Sequence, residues 1–185
     1  MDPELTAERK DALLRLACET LQAHLCGQAA PELPPVVSPG LCRGAFVTLR
    51  KRGSLRGCLG RVTGDRPVAE VVRGLTIAAA SEDPRFPPVT AEEYADIDIE
   101  VSVLSSPVAL DPVDPKAIVI GRDGVIVRRG DVSGLLLPQV ARERNWSPEQ
   151  FLTATCVKAG LPRRAWQEPG TEVLTFVADV FGGAG

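Results

Sequence analysis

Residues 45–62 read Ala45-Phe46-Val47-Thr48-Leu49-Arg50-Lys51-Arg52-Gly53-Ser54-Leu55-Arg56-Gly57-Cys58-Leu59-Gly60-Arg61-Val62, and this stretch decides the fold. Phe46, Val47 and Thr48 suit a pleated, half-buried surface, so Ala45 to Leu49 predicts a strand, with Leu55 to Val62 as its partner. The basic segment Arg50-Lys51-Arg52-Gly53-Ser54 makes the turn between them. A hairpin in the first third of a chain points to antiparallel sheet, because parallel strands need a long crossover.

Upstream, Thr6 is placed to cap a helix running to about Leu25, with Leu14, Cys18, Leu21 and Leu25 as its apolar stripe. Pro31, Pro34, Pro35 and Pro39 make residues 31–40 an extended connector. Downstream, Asp65 is the expected cap of a helix beginning near Pro67, striped by Val68, Val71, Val72, Leu75 and Ala79 and stopped at Asp83-Pro84. Thr90 and Glu93 form a capping-box pair. Ile97, Ile99, Val101 and Val103 then alternate with polar residues, the pattern of a strand with one buried face.

The second half follows the same order. Ile118-Val119-Ile120, an Arg122-Asp123-Gly124 turn and Val125-Ile126-Val127 read as another hairpin, followed by a short strand at Leu135-Leu136-Leu137. A short helix begins at Pro138, and a second is capped by Ser147 with Gln150 as its capping-box partner and ends at Gly160. Val173 to Phe181 is the last strand, leading into a Gly-rich tail. The fold class is α+β: two intertwined subdomains, mostly antiparallel β-sheet with helices packed on it. The chain of 185 residues suits one domain built of a larger and a smaller subdomain sharing a core, with their boundary left open.

Composition excludes several roles. Twenty-one basic against twenty-four acidic residues leave a formal charge of −3, whereas nucleic-acid binders usually carry a basic excess. No apolar stretch approaches the roughly 20 residues that span a bilayer. Met1-Asp2-Pro3-Glu4 is unlike a secretory signal. The five cysteines, Cys18, Cys26, Cys42, Cys58 and Cys156, are odd in number and scattered, which fits reduced thiols in the cytosol. The single histidine, His24, and the lack of finger-type cysteine spacing give no metal site and no cofactor site.

The segment Leu55-Arg56-Gly57-Cys58-Leu59-Gly60-Arg61 carries the chemistry. Glycines inside a strand mark a bulge, a positive φ, or a close approach by another backbone or a ligand. Here they bracket a thiol with Arg56 and Arg61 nearby, and adjacent cations raise a thiolate fraction. Regular alternation puts Arg56 and Cys58 on one face and Gly57 and Leu59 on the other. Against this stands the ordinary behaviour of free cysteine as a small buried hydrophobe. The loop Glu82-Asp83-Pro84-Arg85-Phe86-Pro87-Pro88 is the second candidate: Asp83 could accept a proton and Arg85 could bind an anion, or the two could simply pair.

These stretches resemble one family. Gly44-Ala45-Phe46-Val47-Thr48-Leu49, Leu55-Arg56-Gly57-Cys58-Leu59-Gly60, Ser81 to Pro88, Ile99-Glu100-Val101-Ser102-Val103-Leu104, Gly134 to Ala141 and Lys158-Ala159-Gly160-Leu161-Pro162 stand in the order of the AMMECR family, known in prokaryotes as AmmeMemoRadiSam system protein A. One departure is Leu59, where the hallmark usually has isoleucine. The resemblance implies a two-subdomain α+β fold with the hallmark beside a cleft. It also implies association with Memo-type proteins and radical SAM enzymes. It supplies no reaction.

Two functions follow as expectations. The first is a small-molecule-binding enzyme or enzyme component, with Cys58 as nucleophile or carrier, Asp83 as proton acceptor, and Arg56, Gly57, Gly60 and Arg85 in binding. The second is a non-catalytic protein- or peptide-binding module using the same glycine-lined cleft, with Cys58 as packing. Neither a nucleic acid nor a membrane is an expected partner.

Overall fold

The computed structural model describes residues 5–37 and 40–183. Its fold is α+β, with antiparallel strands and helices packed on them, as the sequence predicts. The chain divides into two compact units, one holding the residues up to Leu104 together with the chain from Asp179 onward, the other Ser105–Ala178.

In the first unit, strands β1 (Ala45–Lys51), β2 (Ser54–Arg61) and β3 (Ile97–Leu104) lie in the order β2-β1-β3. The Gly183 N–H donates to the Ile99 carbonyl, so the chain's last described residues run beside β3. The hairpin turn is tighter than the five residues expected. Arg52 and Gly53 make it alone, with φ of 49° and 80°, a two-residue turn whose twist matches that of the strands. Helices α1 (Ala7–Leu25) and α2 (Val68–Ser81) cover one face. There Val47, Leu49, Val101, Val103, Leu13, Leu21, Val68 and Val72 are wholly buried. Each such side chain contributes about 1.5–3 kcal/mol by leaving water.

Thr6 caps α1 by accepting from the Arg9 N–H at 3.4 Å. Asp65 does not cap α2, contrary to expectation. Its carboxylate is taken by the Arg61 guanidinium and the Thr63 hydroxyl, and Pro67 occupies the cap position. Thr90 and Glu93 do form the reciprocal capping box, on a short 3-10 helix over Ala91–Asp96. Of the proline connector, Pro39 lies outside the described residues.

In the second unit, strands β4 (Val108–Ala109), β5 (Asp123–Arg129), β6 (Val132–Leu136) and β7 (Glu172–Gly182, of which the residues to Ala178 belong here) run antiparallel in the order β4-β7-β5-β6. The expected hairpin of residues 118–120 with 125–127 is not formed. Asp123 accepts the Val119 N–H at 2.8 Å and its own N–H returns to the Val119 carbonyl, which closes residues 119–123 into a tight turn. Ile118 is buried instead, and the true hairpin partner of β5 is β6, across Gly130. Helices α3 (Pro138–Glu143) and α4 (Pro148–Lys158) pack here, α4 with the predicted Ser147/Gln150 capping box. Gly160 ends α4 with φ of 75°. Phe151, Leu152, Val125, Val127, Cys156 and Ala165 form the core. No helix among the described residues is long and apolar enough to cross a membrane.

Candidate functional site

The β1–β2 register changes once. Arg50 faces Leu55 and Leu49 faces Gly57, which leaves Arg56 as an extra residue without a partner on β1. The bulge is therefore at the arginine and not at a glycine. From Gly57 onward the alternation is regular: Gly57 is buried and Leu59 packs against the core, while Cys58 takes the other face and is half-buried.

Neither Gly57 nor Gly60 has a positive φ. Each is required by a close approach of the chain itself. A Cβ on Gly57 would collide with the Ala79 carbonyl oxygen of α2, and one on Gly60 with the Phe46 ring. The spaces that the missing side chains leave are filled from within the molecule.

Cys58 stands opposite Thr48. Its N–H and carbonyl point away from β1, so the pair is of the non-hydrogen-bonded kind, in which side chains come close. The Thr48 hydroxyl donates to Cys58 Sγ at 3.2 Å. On the free edge of β2, two side chains replace the absent neighbouring strand. The Asp83 carboxylate accepts the Cys58 N–H at 2.9 Å, and an Arg85 amino group donates to the Cys58 carbonyl at 3.0 Å. Asp83 also accepts from the Arg85 backbone N–H at 3.1 Å and from its guanidinium at 2.9 and 2.6 Å. The result is a clip built from residues 83 and 85 that covers the edge at Cys58.

A second fastening lies two residues away. Arg56 donates to both Glu93 oxygens at 3.0 and 2.9 Å, and to the Pro87 and Pro88 carbonyls at 2.8 and 3.1 Å. Lys51 donates to Glu93 at 2.9 Å. The bulge turns Arg56 sideways onto the 82–93 segment and away from the thiol. Arg61 is also committed elsewhere, to Thr63 and Asp65.

The charges follow these contacts. Asp83, with its side chain only 2% exposed, is held well below the usual carboxylate range, chiefly by the Arg85 guanidinium and then by the Cys58 and Arg85 N–H groups, against the opposing effect of burial. Glu93 is likewise held low, chiefly by Arg56, then by Lys51 and the Thr90 N–H. Arg85 is raised, chiefly by the Asp83 carboxylate. Its side chain is 53% exposed, and it leans on the Phe86 ring at 5.5 Å.

Of the residues expected to act, Cys58, Asp83 and Arg85 are thus brought together, with Gly57 on the core side of the strand and Gly60 two residues along on the face of Cys58. Arg56 serves the adjoining loop. Thr48 and Glu93 were not among the candidates: Thr48 could have been found only by knowing the shifted register, and Glu93 was already explained as a cap. Among the described residues no group of three or more His, Cys, Asp or Glu is placed to hold a metal ion.

The fastening of 55–60 to 82–93 joins the two most distinctive motifs of the sequence. The sequence profile of AMMECR1 matches residues 14–181. The chain belongs to the AMMECR1 family. A protein of Methanothermobacter thermautotrophicus is 45% identical over 184 residues, covering 96% of this chain and 95% of that one. Protein MK0488 of Methanopyrus kandleri is 44% identical, covering 98% and 91%. A crystal structure of the uncharacterized protein PH0010 from Pyrococcus horikoshii matches with a TM-score of 0.81 and 39% identity, covering 96% of this chain and 92% of that one. For an AMMECR1-family domain these likenesses fix ancestry and fold; the chemistry has to be argued from the side chains.

Proposed function

We propose that this AMMECR1-family chain is a small-molecule-binding enzyme or enzyme component whose reactive group is the Cys58 thiol. The observation that carries the reading is the Thr48 hydroxyl donating to the sulfur of the half-buried Cys58 at 3.2 Å. That bond holds the sulfur in one orientation on the strand, and sulfur is the natural nucleophile of the site. The Asp83–Arg85 clip fixes the backbone on both sides of that sulfur, so little reorganisation is needed at the moment of attack.

In this reading Asp83 positions and Arg85 binds. Asp83 is ionised and surrounded by donors, which makes it a poor base near neutrality. The Arg85 bonds to Asp83 and Cys58 use Nε and Nη2, which leaves Nη1 to hold a substrate carboxylate or carbonyl oxygen. The supported step is addition of the Cys58 sulfur to a carbonyl carbon. The thiol proton passes to solvent as the S–C bond forms and the carbonyl π pair moves onto oxygen; collapse then expels the leaving group, which takes up a proton from solvent, and leaves an acyl thioester. The proposed partners, a Memo-type protein and a radical SAM enzyme in the cytosol, rest on the family resemblance.

The test is acylation of the full chain by a panel of small thioesters carrying a carboxylate, read by peptide mass spectrometry. Support is a mass increase of one acyl group on the Cys58 peptide, absent in Cys58→Ser and several-fold slower in Arg85→Gln. Acylation that favours the exposed Cys26 and Cys42 contradicts the reading.

The second reading, a non-catalytic protein- or peptide-binding module, is favoured by a different observation. The edge of β2 at Cys58 is satisfied by side chains that an incoming strand could displace. Under it, a partner captured by the native chain is retained by Cys58→Ser and lost when Gly57→Val distorts the strand.

A further inference from the structure

Helix α4 buries one face in its unit's core and turns a second, mixed face away from it. Phe151, Leu152, Thr155 and Cys156 recur at helical spacing and are buried in the second unit's core. Gln150, Thr153, Ala154 and Val157 recur at the same spacing on the side turned away. Val157 is 52% exposed there. That second face lines a groove of about 470 Å³ together with Trp146, Glu149 and Arg163. The volume lies in the range of small-molecule sites, and the lining sets the apolar Trp146, Ala154 and Val157 beside the polar Glu149, Gln150, Thr153 and Arg163.

The charges in the groove are unevenly committed. Glu149 is engaged by the Ser147 hydroxyl at 2.7 Å, and its carboxyl is held below the usual range chiefly by that bond. Arg144 lies over the Trp146 ring at 5.4 Å. Arg163 is exposed and has no ion-pair or hydrogen-bond partner among the described residues. An uncommitted guanidinium lining the same groove as Trp146, Ala154 and Val157 complements a flat apolar body that ends in a carboxylate, which arginine grips through two parallel bonds. A phosphate fits less well, since Arg163 is the one cation among the lining residues.

We infer that the groove along the outer face of α4 is a binding site for a small aromatic carboxylate, with Trp146, Ala154 and Val157 taking the ring and Arg163 the carboxylate. The site lies wholly in the second unit and stands independently of the thiol reading.

Benzoate, with neutral benzamide as control, tests it by titration of the isotopically labelled full chain, following amide signals and the two tryptophan indole signals by NMR. The inference predicts saturable shifts confined to Trp146, Thr153, Ala154 and Val157, with Trp166 unmoved. Arg163→Gln should weaken benzoate at least about tenfold, the size of one lost charge-assisted bond pair, and leave benzamide unchanged. Trp146→Leu should weaken both, and Cys58→Ser neither. The inference is overturned if benzoate gives no saturable shift at these residues. It is equally overturned if benzamide binds as well as benzoate, or if Arg163→Gln leaves benzoate binding intact.

Discussion

The Asp83 carboxylate accepts the Cys58 N–H at 2.9 Å while holding Arg85 at 2.6 Å, and Arg85 in turn donates to the Cys58 carbonyl at 3.0 Å. Two side chains from one loop thus treat the edge of β2 as a neighbouring strand would. They satisfy polar groups that would otherwise be left for another chain to find, and they do so at the residue that carries the thiol.

Removing the acidic half of that clip should be costly. Asp83→Ala strips the Cys58 N–H and the Arg85 guanidinium of their acceptor, and bonds to a charged group contribute about 1.5–3 kcal/mol. A urea titration should show a loss in that range, with Asp83→Asn losing less because its amide oxygen still accepts. A loss in Asp83→Ala below about 0.5 kcal/mol, the size of an ordinary surface change, would show the clip to be ornamental.

Acid should loosen the same region. Asp83 and Glu93 are both held below the unfolded carboxylate values of about 4. Between the folded and unfolded values the unfolded chain binds more protons, so stability falls as pH drops. The contribution of these two groups is complete above about pH 5 and drains progressively below about pH 4. Urea midpoints at several pH values should fall less steeply in Asp83→Asn than in the native chain; an unchanged slope would remove Asp83 from the account.

The two glycines should differ in kind. At Gly57 an added methyl meets a helix carbonyl, which cannot move aside without shifting α2. At Gly60 it meets a phenylalanine ring, which can turn. Gly57→Ala should therefore destabilise more than Gly60→Ala, by about 1–3 kcal/mol as overpacking does. Phe46→Leu should partly rescue Gly60→Ala and leave Gly57→Ala untouched. Thermal melts of the four chains decide it.

Arg56 is not replaceable by lysine. Its planar fork meets two Glu93 oxygens and two proline carbonyls at once, a geometry that a single ammonium cannot copy. Arg56→Lys should lower stability by about 1–3 kcal/mol and speed hydrogen exchange at the Thr90 amide, which Glu93 accepts at 3.0 Å. Unchanged exchange there would mean that the loop is held by other contacts.

Much of this was legible in the sequence and some was not, for reasons that differ residue by residue. The Ser147/Gln150 and Thr90/Glu93 caps declared themselves because a cap is local chemistry between residues three apart. The alternation of Ile99, Val101 and Val103 gave β3 its buried face. Register was harder. Counting back from the turn would put Thr48 opposite Gly57, and only the bulge at Arg56 brings it to Cys58. A bulge is a three-dimensional compromise with no reliable local signature. Asp65 misled for a similar reason: its helix-cap position was plain, but the reach of Arg61 from the preceding strand was not. The hairpin assigned to 118–127 failed because Asp123 closes a turn onto Val119, a bond that competes with strand pairing and leaves no trace in the apolar pattern.

Site-resolved alkylation tests the central claim most directly. The native chain is treated with iodoacetamide, and the rate at each of the five cysteines is read by peptide mass spectrometry, alongside Thr48→Val. Exposure alone ranks the open Cys26 and Cys42 ahead of the half-buried Cys58. The account predicts the reverse: Cys58 labels fastest, and Thr48→Val slows it while leaving Cys26 and Cys42 unchanged. If Cys58 stays unlabelled until the chain unfolds, it is a packing residue and the thiol chemistry proposed for it is contradicted.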